Sequence, residues 1–186
     1  MAGRGTHYEQ AFEAMLQYRR LHYVPINQTR KAIAEETPRK SFDFLVYPKT
    51  TRKLLIDVKG RKLSSVAFEQ GRLGQNWTTA DDITSMATWQ RSFSQTIPAT
   101  NCRAIFVFAY WLYDRTGPLS TTNIPKTSLA NTVYQFQQRE YIFVVADLNV
   151  YQAYMRPRST RWNTVHVSTA SFRHMAIPFE QFIGAN

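Results

Sequence analysis

Tyr8, Ala11, Phe12, Met15, Leu16 and Tyr18 recur at helical spacing. They predict an amphipathic helix over residues 6–21, with Arg19 and Arg20 in its last turn, where cations suit the helix dipole. HYVPIN at 22–27 reads as a short strand that Pro25, lacking an amide hydrogen, keeps on a sheet edge or bends into a bulge. The polar run QTRKAIAEETPRKS then reads as a loop with room for one helical turn. SFDFLVY and KLLIDVK are apolar, β-favouring runs joined by PKTTR, the pattern of a hairpin.

After the loop GRKLSSVAFEQGRLGQNW, a second helix is announced by Thr78 or Thr79 as N-cap and by Asp81 and Asp82 in its first turn. Ile83, Met86, Ala87 and Gln90 form its sheet-facing stripe. RAIFVFAYWLY reads as a buried strand. The polar stretch DRTGPLSTTNIPKTSLANTVYQFQQRE is long enough to suggest a functional or poorly ordered excursion. YIFVVAD and RWNTVHV follow as strands, and SFRHMAIPFEQFI as a pair of short helical segments. The order is α, β, β, β, α, β, with further strands and short helices appended. It predicts an α/β fold: a mixed central sheet flanked by helices, in one domain over residues 1–186, with a core at about 6–112 and an extension at about 113–186.

An apolar content of 44%, with 14% aromatic residues in 186, is enough for a substantial core. The longest apolar stretch, 104–112, is too short to span a bilayer, and MAGRGTHYEQ carries no hydrophobic signal region, so the expectation is a soluble, cytoplasmic protein without a membrane partner. Cys102 is the single cysteine, which rules out an internal disulfide and reads as a buried thiol. The net charge of +10 favours a polyanionic partner, nucleic acid before acidic proteins or membrane surfaces. Residues 1–80 hold 14 of the 23 basic residues against 7 of the 13 acidic ones, so the surplus is concentrated in that half.

That half also carries the candidate chemistry. Asp43 lies in one arm of the expected hairpin, and Asp57 and Lys59 in the other. Alternation along a strand sends Asp57 and Lys59 to one face while Val58 packs on the other. Ionisable groups at positions patterned for burial need partners, and a divalent cation between two carboxylates is one. Mg²⁺ or Mn²⁺ suits two carboxylates and a backbone carbonyl such as that of Val58. Lys59 beside it is placed to orient or deprotonate a water, or to stabilise charge developing on a phosphate. A cross-strand ion pair on a solvated sheet face explains the same residues without catalysis.

The run FDFLVYPKTTRKLLIDVKG resembles the core of the PD-(D/E)XK nuclease superfamily. Asp43 matches its first acidic residue, Asp57 its second and Lys59 its lysine. Phe42 stands where that motif has proline, and the second acid is Asp rather than the commoner Glu. The resemblance implies a restriction-endonuclease-like α-β-β-β-α-β core, metal-dependent hydrolysis of phosphodiester bonds, and a glutamate on the first helix directed at the metal. Glu9 and Glu13 are the candidates, and Glu9, bordering the apolar face beside Phe12 and Leu16, is preferred. His7-Tyr8-Glu9-Gln10-Ala11-Phe12-Glu13 also resembles the signature of the uncharacterised bacterial HYExAFE group, which implies no activity.

Around this centre, Gln90 is a possible accessory residue or a satisfied core amide. Arg61 and Lys62, after the motif strand, are candidate phosphate contacts or plain solvated surface. Arg156, Arg158 and Arg161 interleave with Tyr151, Tyr154 and Trp162, a composition suited to gripping a nucleic-acid backbone and stacking on a base. Trp162, Trp77 and Trp89 are read as packing. His7, His22, His166 and His174 lack metal-ligand spacing, and neither a GxSxG elbow nor a phosphate-binding glycine loop occurs. The expectation is therefore a Mg²⁺- or Mn²⁺-dependent deoxyribonuclease. Its rivals are a nucleic-acid-binding protein without turnover and a basic protein-interaction module. Substrate structure, DNA against RNA, and a possible homodimer stay open.

Overall fold

The computed structural model describes residues 5–26, 40–49, 52–96, 102–114 and 132–184. Most of the QTRKAIAEETPRKS loop, the centre of the PKTTR turn and residues 115–131 of the long polar stretch lie outside them.

Helix α1, His7–Tyr18, starts where Thr6 caps the Glu9 amide and buries Ala11, Phe12, Met15 and Leu16. It ends three residues earlier than its periodicity suggests. Arg20 turns into the left-handed region (φ 53°), its amide donates to the Gln17 carbonyl, and Leu21 N–H reaches the Leu16 carbonyl at 3.0 Å. Those two bonds make a Schellman stop, with Arg where glycine usually sits. Arg19 is the C-cap and pairs with Glu180.

The chain then lays down β1 (His22–Pro25), β2 (Phe44–Tyr47) and β3 (Lys53–Leu63) as an antiparallel meander. Helix α2 (Ser65–Glu69), strand β4 (Thr78–Thr79) and helix α3 (Ala80–Thr96) lead to β5 (Cys102–Leu112), which runs parallel to β3 along its whole length, from Lys53↔Cys102 to Leu63↔Leu112. Strand β7 (Arg139–Asp147) returns antiparallel to β5. Its outer edge takes β6 (Tyr134–Phe136) and, after α4 (Leu148–Tyr154), β8 (Arg156–Ser159), β9 (Thr164–His166) and α5 (Thr169–Met175), the short β10 (Ile177–Pro178) that precedes α6 (Phe179–Gly184). The result is a mixed seven-stranded sheet of order β1-β2-β3-β5-β7-β10, with β6 beside β7, and a small β4-β9-β8 sheet next to it. Pro25 closes the outer strand, where its missing donor costs no ladder bond. Among the described residues no helix is long and apolar enough to cross a membrane.

Strand alternation divides the core in two. Leu54, Ile56 and Val58 of β3 join Ile105 and Val107 under α1 and α6, whereas Leu55 and Leu63 join Phe106, Phe108 and Tyr110 under α3, α4 and α5. Both layers draw on residues beyond 113, and β7 is an inner strand of the main sheet. The expected extension thus completes the core instead of decorating it.

Two expectations change, and a segment given no element of its own proves helical. GRKL is the end of β3 and not a loop, because β5 supplies a partner to every residue through Leu63. RWNTVHV divides into a turn and β9, with Asn163 left-handed at φ 43°. NVYQAY forms helix α4, which Asp147 caps through the Val150 amide. Cys102 is buried, as expected, and burial pushes its thiol up to about 11.

Candidate active site

The β2/β3 register pairs Phe44 with Ile56, so one residue before β2 the chain brings Asp43 opposite Asp57. The Asp43 amide donates to the Ile56 carbonyl at 2.8 Å, and its Oδ2 accepts the Val58 amide at 2.7 Å. Asp57 is only 8% exposed. Lys59, two residues on and on the same face, places Nζ 2.8 Å from Asp57 Oδ2. The structure thus brings Asp43, Asp57 and Lys59 together at the point where β3 lies between β2 and β5.

A fourth group completes the cluster. Asp82, in the first turn of α3, lies with Oδ2 2.9 Å from Lys59 Nζ and Oδ1 3.0 Å from Lys40 Nζ. It also accepts from Thr78 Oγ1 at 2.9 Å and from the Thr79 amide at 3.3 Å, while its own amide donates to Thr79 Oγ1 at 3.1 Å. The Thr79–Asp82 exchange is a capping box with aspartate in the acid's place. Sequence reasoning saw Asp82 only as a helix-start acid. The signal for the second role was the same Thr-x-x-Asp spacing, which cannot say what lies in front of the helix.

The charges are unevenly satisfied. Burial, then the Asp57 carboxylate beside it, pushes Asp43 up to about 8, and Glu9 adds to the rise. Burial lifts Asp57 as well, against the pull of Lys59. Two adjacent carboxylates in a dry site share one proton more easily than they carry two charges. Asp57 has the ammonium 2.8 Å away and a side-chain hydrogen bond with Asp43, and both pull against its rise. Burial works against the Lys59 ammonium, but Asp57 and Asp82 more than offset it, so its pKa stands above the ordinary lysine value. For Asp82, Lys59, Thr79 and Lys40 outweigh burial and hold the carboxyl below the usual range.

Consecutive residues of α1 have separate tasks. His7 Nδ1 meets Tyr141 Oη on β7 at 2.8 Å, and the Tyr8 ring lies against Gly60 of β3 so closely that a Cβ there would fall 2.1 Å from it. Glu9 takes a hydrogen bond from Thr6 Oγ1 at 3.1 Å and contributes to the field at Asp43. Glu13 Oε1 accepts from Tyr23 Oη at 3.0 Å, a tie to β1. Of the two glutamates, Glu9 is the one whose charge is felt at the carboxylate pair.

The remaining candidates are dispersed. Gln90 Oε1 accepts the buried Ala104 amide at 2.6 Å, which binds α3 to the start of β5. Arg61 continues the Asp57–Lys59 face but donates to the Gly60 and Trp77 carbonyls and stacks 4.0 Å over the Trp77 ring. Lys62 points to the opposite face, 5.4 Å over Trp111. Arg156, Arg158 and Arg161 are exposed on the β8–β9 hairpin, and Arg158 approaches the same Trp77 ring at 4.9 Å. Trp89 packs against Phe42 and Phe93, as expected, whereas Trp162, expected in the core, is 68% exposed.

Among the described residues no three His, Cys, Asp or Glu side chains gather closely enough to hold a metal ion by themselves. The donor set available is two carboxylates, which suits a hard divalent cation that retains several waters. Burial raises both carboxyls and the Asp57 charge raises Asp43 further, a repulsion that such an ion relieves. In comparisons with known proteins the chain matches no family model, no curated protein and no solved structure.

Proposed function

We propose that this protein is a metal-dependent nuclease hydrolysing phosphodiester bonds in DNA, on a restriction-endonuclease-like core of the PD-(D/E)XK kind. The observation that carries the reading is the buried Asp43–Asp57 pair with Lys59 at 2.8 Å from Asp57. A purely structural ion pair has no use for a second carboxylate buried against the first, where burial and the like charge both oppose ionisation. The antiparallel β1-β2-β3 meander with β5 parallel to β3, between α1 and α3, supports the fold assignment. The net charge of +10 supports a polyanionic substrate.

In this reading Asp43 and Asp57 hold Mg²⁺ or Mn²⁺, with Glu9 as a further or water-mediated ligand and the Val58 backbone beside them. A cation held there supplies Lewis-acid polarisation of a phosphoryl oxygen and acidifies water. Lys59, kept cationic by two acids, orients the attacking water and stabilises the charge growing on the phosphate rather than removing a proton. Asp82 holds the ammonium in place from the α3 side.

The test is incubation with supercoiled, linear, branched and single-stranded DNA, with Mg²⁺, Mn²⁺ or EDTA, beside Asp57→Ala and Lys59→Ala. Metal-dependent cleavage lost in both variants is the expected result. Tight DNA binding without cleavage under any metal would instead mark a binding protein on this fold.

A further inference from the structure

Trp162 belongs to neither core layer. It stands at the tip of the β8–β9 hairpin with 68% of its surface exposed and Arg161 5.2 Å from its ring centroid. Lone exposed aromatics are ordinary on a protein surface, so a contact role needs a fixed setting and suitable neighbours.

This one is held. The turn is set by Asn163 in the left-handed region (φ 43°), a conformation Asn tolerates better than most residues. The Trp162 amide donates to Ser159 Oγ at 3.3 Å. The Asn163 carbonyl accepts the Ala80 amide at 2.9 Å, and its side-chain amide donates to Asp81 Oδ1 at 3.4 Å. Ala80 and Asp81 open the helix whose next residue, Asp82, holds Lys59. A chain of direct contacts therefore fixes the turn that carries the exposed indole to the helix start beside the carboxylate pair.

Cationic groups mark the same route. Arg61 lies two residues beyond Lys59 on the same strand face and covers Trp77 at 4.0 Å. The β8–β9 ladder slips between Pro157 and Ser159, which leaves Arg158 as the bulged residue. Bulges re-aim side chains, and this one brings the Arg158 guanidinium 4.9 Å from the Trp77 ring that Arg61 covers. Arg61 and Arg158 thus share Trp77 between the motif strand and the hairpin, and Arg161 stands beside the exposed indole.

We propose that the β8–β9 hairpin is a stacking platform for an unpaired base of DNA, Trp162 receiving the base and Arg158 and Arg161 the flanking phosphates. The substrate of the site is then DNA with a single-stranded segment beside the scissile bond, and not a fully paired duplex. This rests on the nuclease reading for the identity of the polymer. Aromatic stacking needs an exposed π-face with cations along the backbone, and a base inside a duplex offers its edges rather than its face.

The experiment is equilibrium binding in EDTA, where no cleavage intervenes, to three labelled DNAs of equal phosphate number. One is a blunt duplex, one a duplex with a single-stranded tail, and one the same tailed duplex with abasic positions in the tail. The wild-type protein is expected to prefer the natural tail over the other two by about tenfold or more, the scale of one aromatic–base stack. Trp162→Ala should bind all three alike with an unchanged melting temperature, and Trp162→Phe should keep part of the preference. Equal weakening on all three DNAs, or an abasic tail that binds as well as the natural one, overturns the platform. So does a change of oligomeric state in Trp162→Ala, which would make the indole a contact between copies. If the wild type cleaves DNA with metal yet binds blunt and tailed duplexes equally, only the platform falls. If it binds no DNA at all, the nuclease reading falls with it.

Discussion

Lys59 and Asp82 are joined by a 2.9 Å ion pair across 23 residues of chain, and this pair connects the motif strand to the first turn of α3. Asp82 serves both elements at once, as the acid of a capping box and as the second anion on the ammonium. These two services can be separated by substitution.

Asp82→Asn keeps a side chain able to accept from the Thr79 amide but removes the charge. Stability is expected to fall by about 1 kcal/mol or less, the size of a weakened cap. Without Asp82 the Lys59 pKa falls, so the alkaline limb of the cleavage pH profile should move to lower pH. A variant with reduced stability and an unmoved profile would leave Asp82 as a cap alone.

Asp43→Asn is expected to stabilise the metal-free protein while abolishing cleavage. Asp43 is raised in the folded state from an ordinary 3.8 to about 8. A carboxyl raised on folding contributes stability that is fully present below 3.8 and is lost as pH climbs toward 8, because the folded form then holds a proton the unfolded form has released. Asparagine does not titrate. In EDTA, the urea midpoint of the variant should therefore exceed that of the wild type most at the alkaline end of this window and least at the acid end. Parallel curves would refute the shared proton.

Gln90→Ala removes the side-chain acceptor of the fully buried Ala104 amide. Leaving that donor unsatisfied should lower stability by about 1–3 kcal/mol. Cleavage per folded molecule should be unchanged, since the side chain joins α3 to β5 and does not reach the carboxylates. A large loss of kcat at full stability would restore Gln90 to the catalytic group.

Gly60→Ala tests the packing of the His7-Tyr8-Glu9 segment. Alanine normally improves a strand glycine by about 0.5–1 kcal/mol. Here its Cβ would meet the Tyr8 ring at 2.1 Å, so a loss of about 1–3 kcal/mol is expected, with Tyr8 and the start of α1 displaced. Thermal melting reads the sign directly.

Local chemistry was enough for some of this. The Thr79 cap, the apolar stripe of α1, and the alternation that puts Asp57 and Lys59 on one face are properties of a few neighbouring residues. Other features depended on distant partners. Arg61 and Lys62 were read beyond the strand because nothing nearby showed that β5 would pair as far as Leu63. Trp162 was read as core because it is aromatic within an apparent strand. A hairpin tip instead puts it in solvent, where the Asn163 turn and the clasp on α3 leave no layer to cover it.

By itself, then, the sequence determined the order of the main elements from α1 to β5, the two-faced strand β3 and the identity of the Asp43, Asp57 and Lys59 cluster, since hairpin register and side-chain alternation are short-range geometry. Only the tertiary structure decided that Asp82 completes the cluster, that Glu9 rather than Glu13 bears on Asp43, and that Gln90 is spent on Ala104. Those are contacts between elements far apart in the chain, and their choice depends on how α1 and α3 settle on opposite faces of one sheet. The resulting charge balance belongs to the packed state, because desolvation exists only once the core has closed.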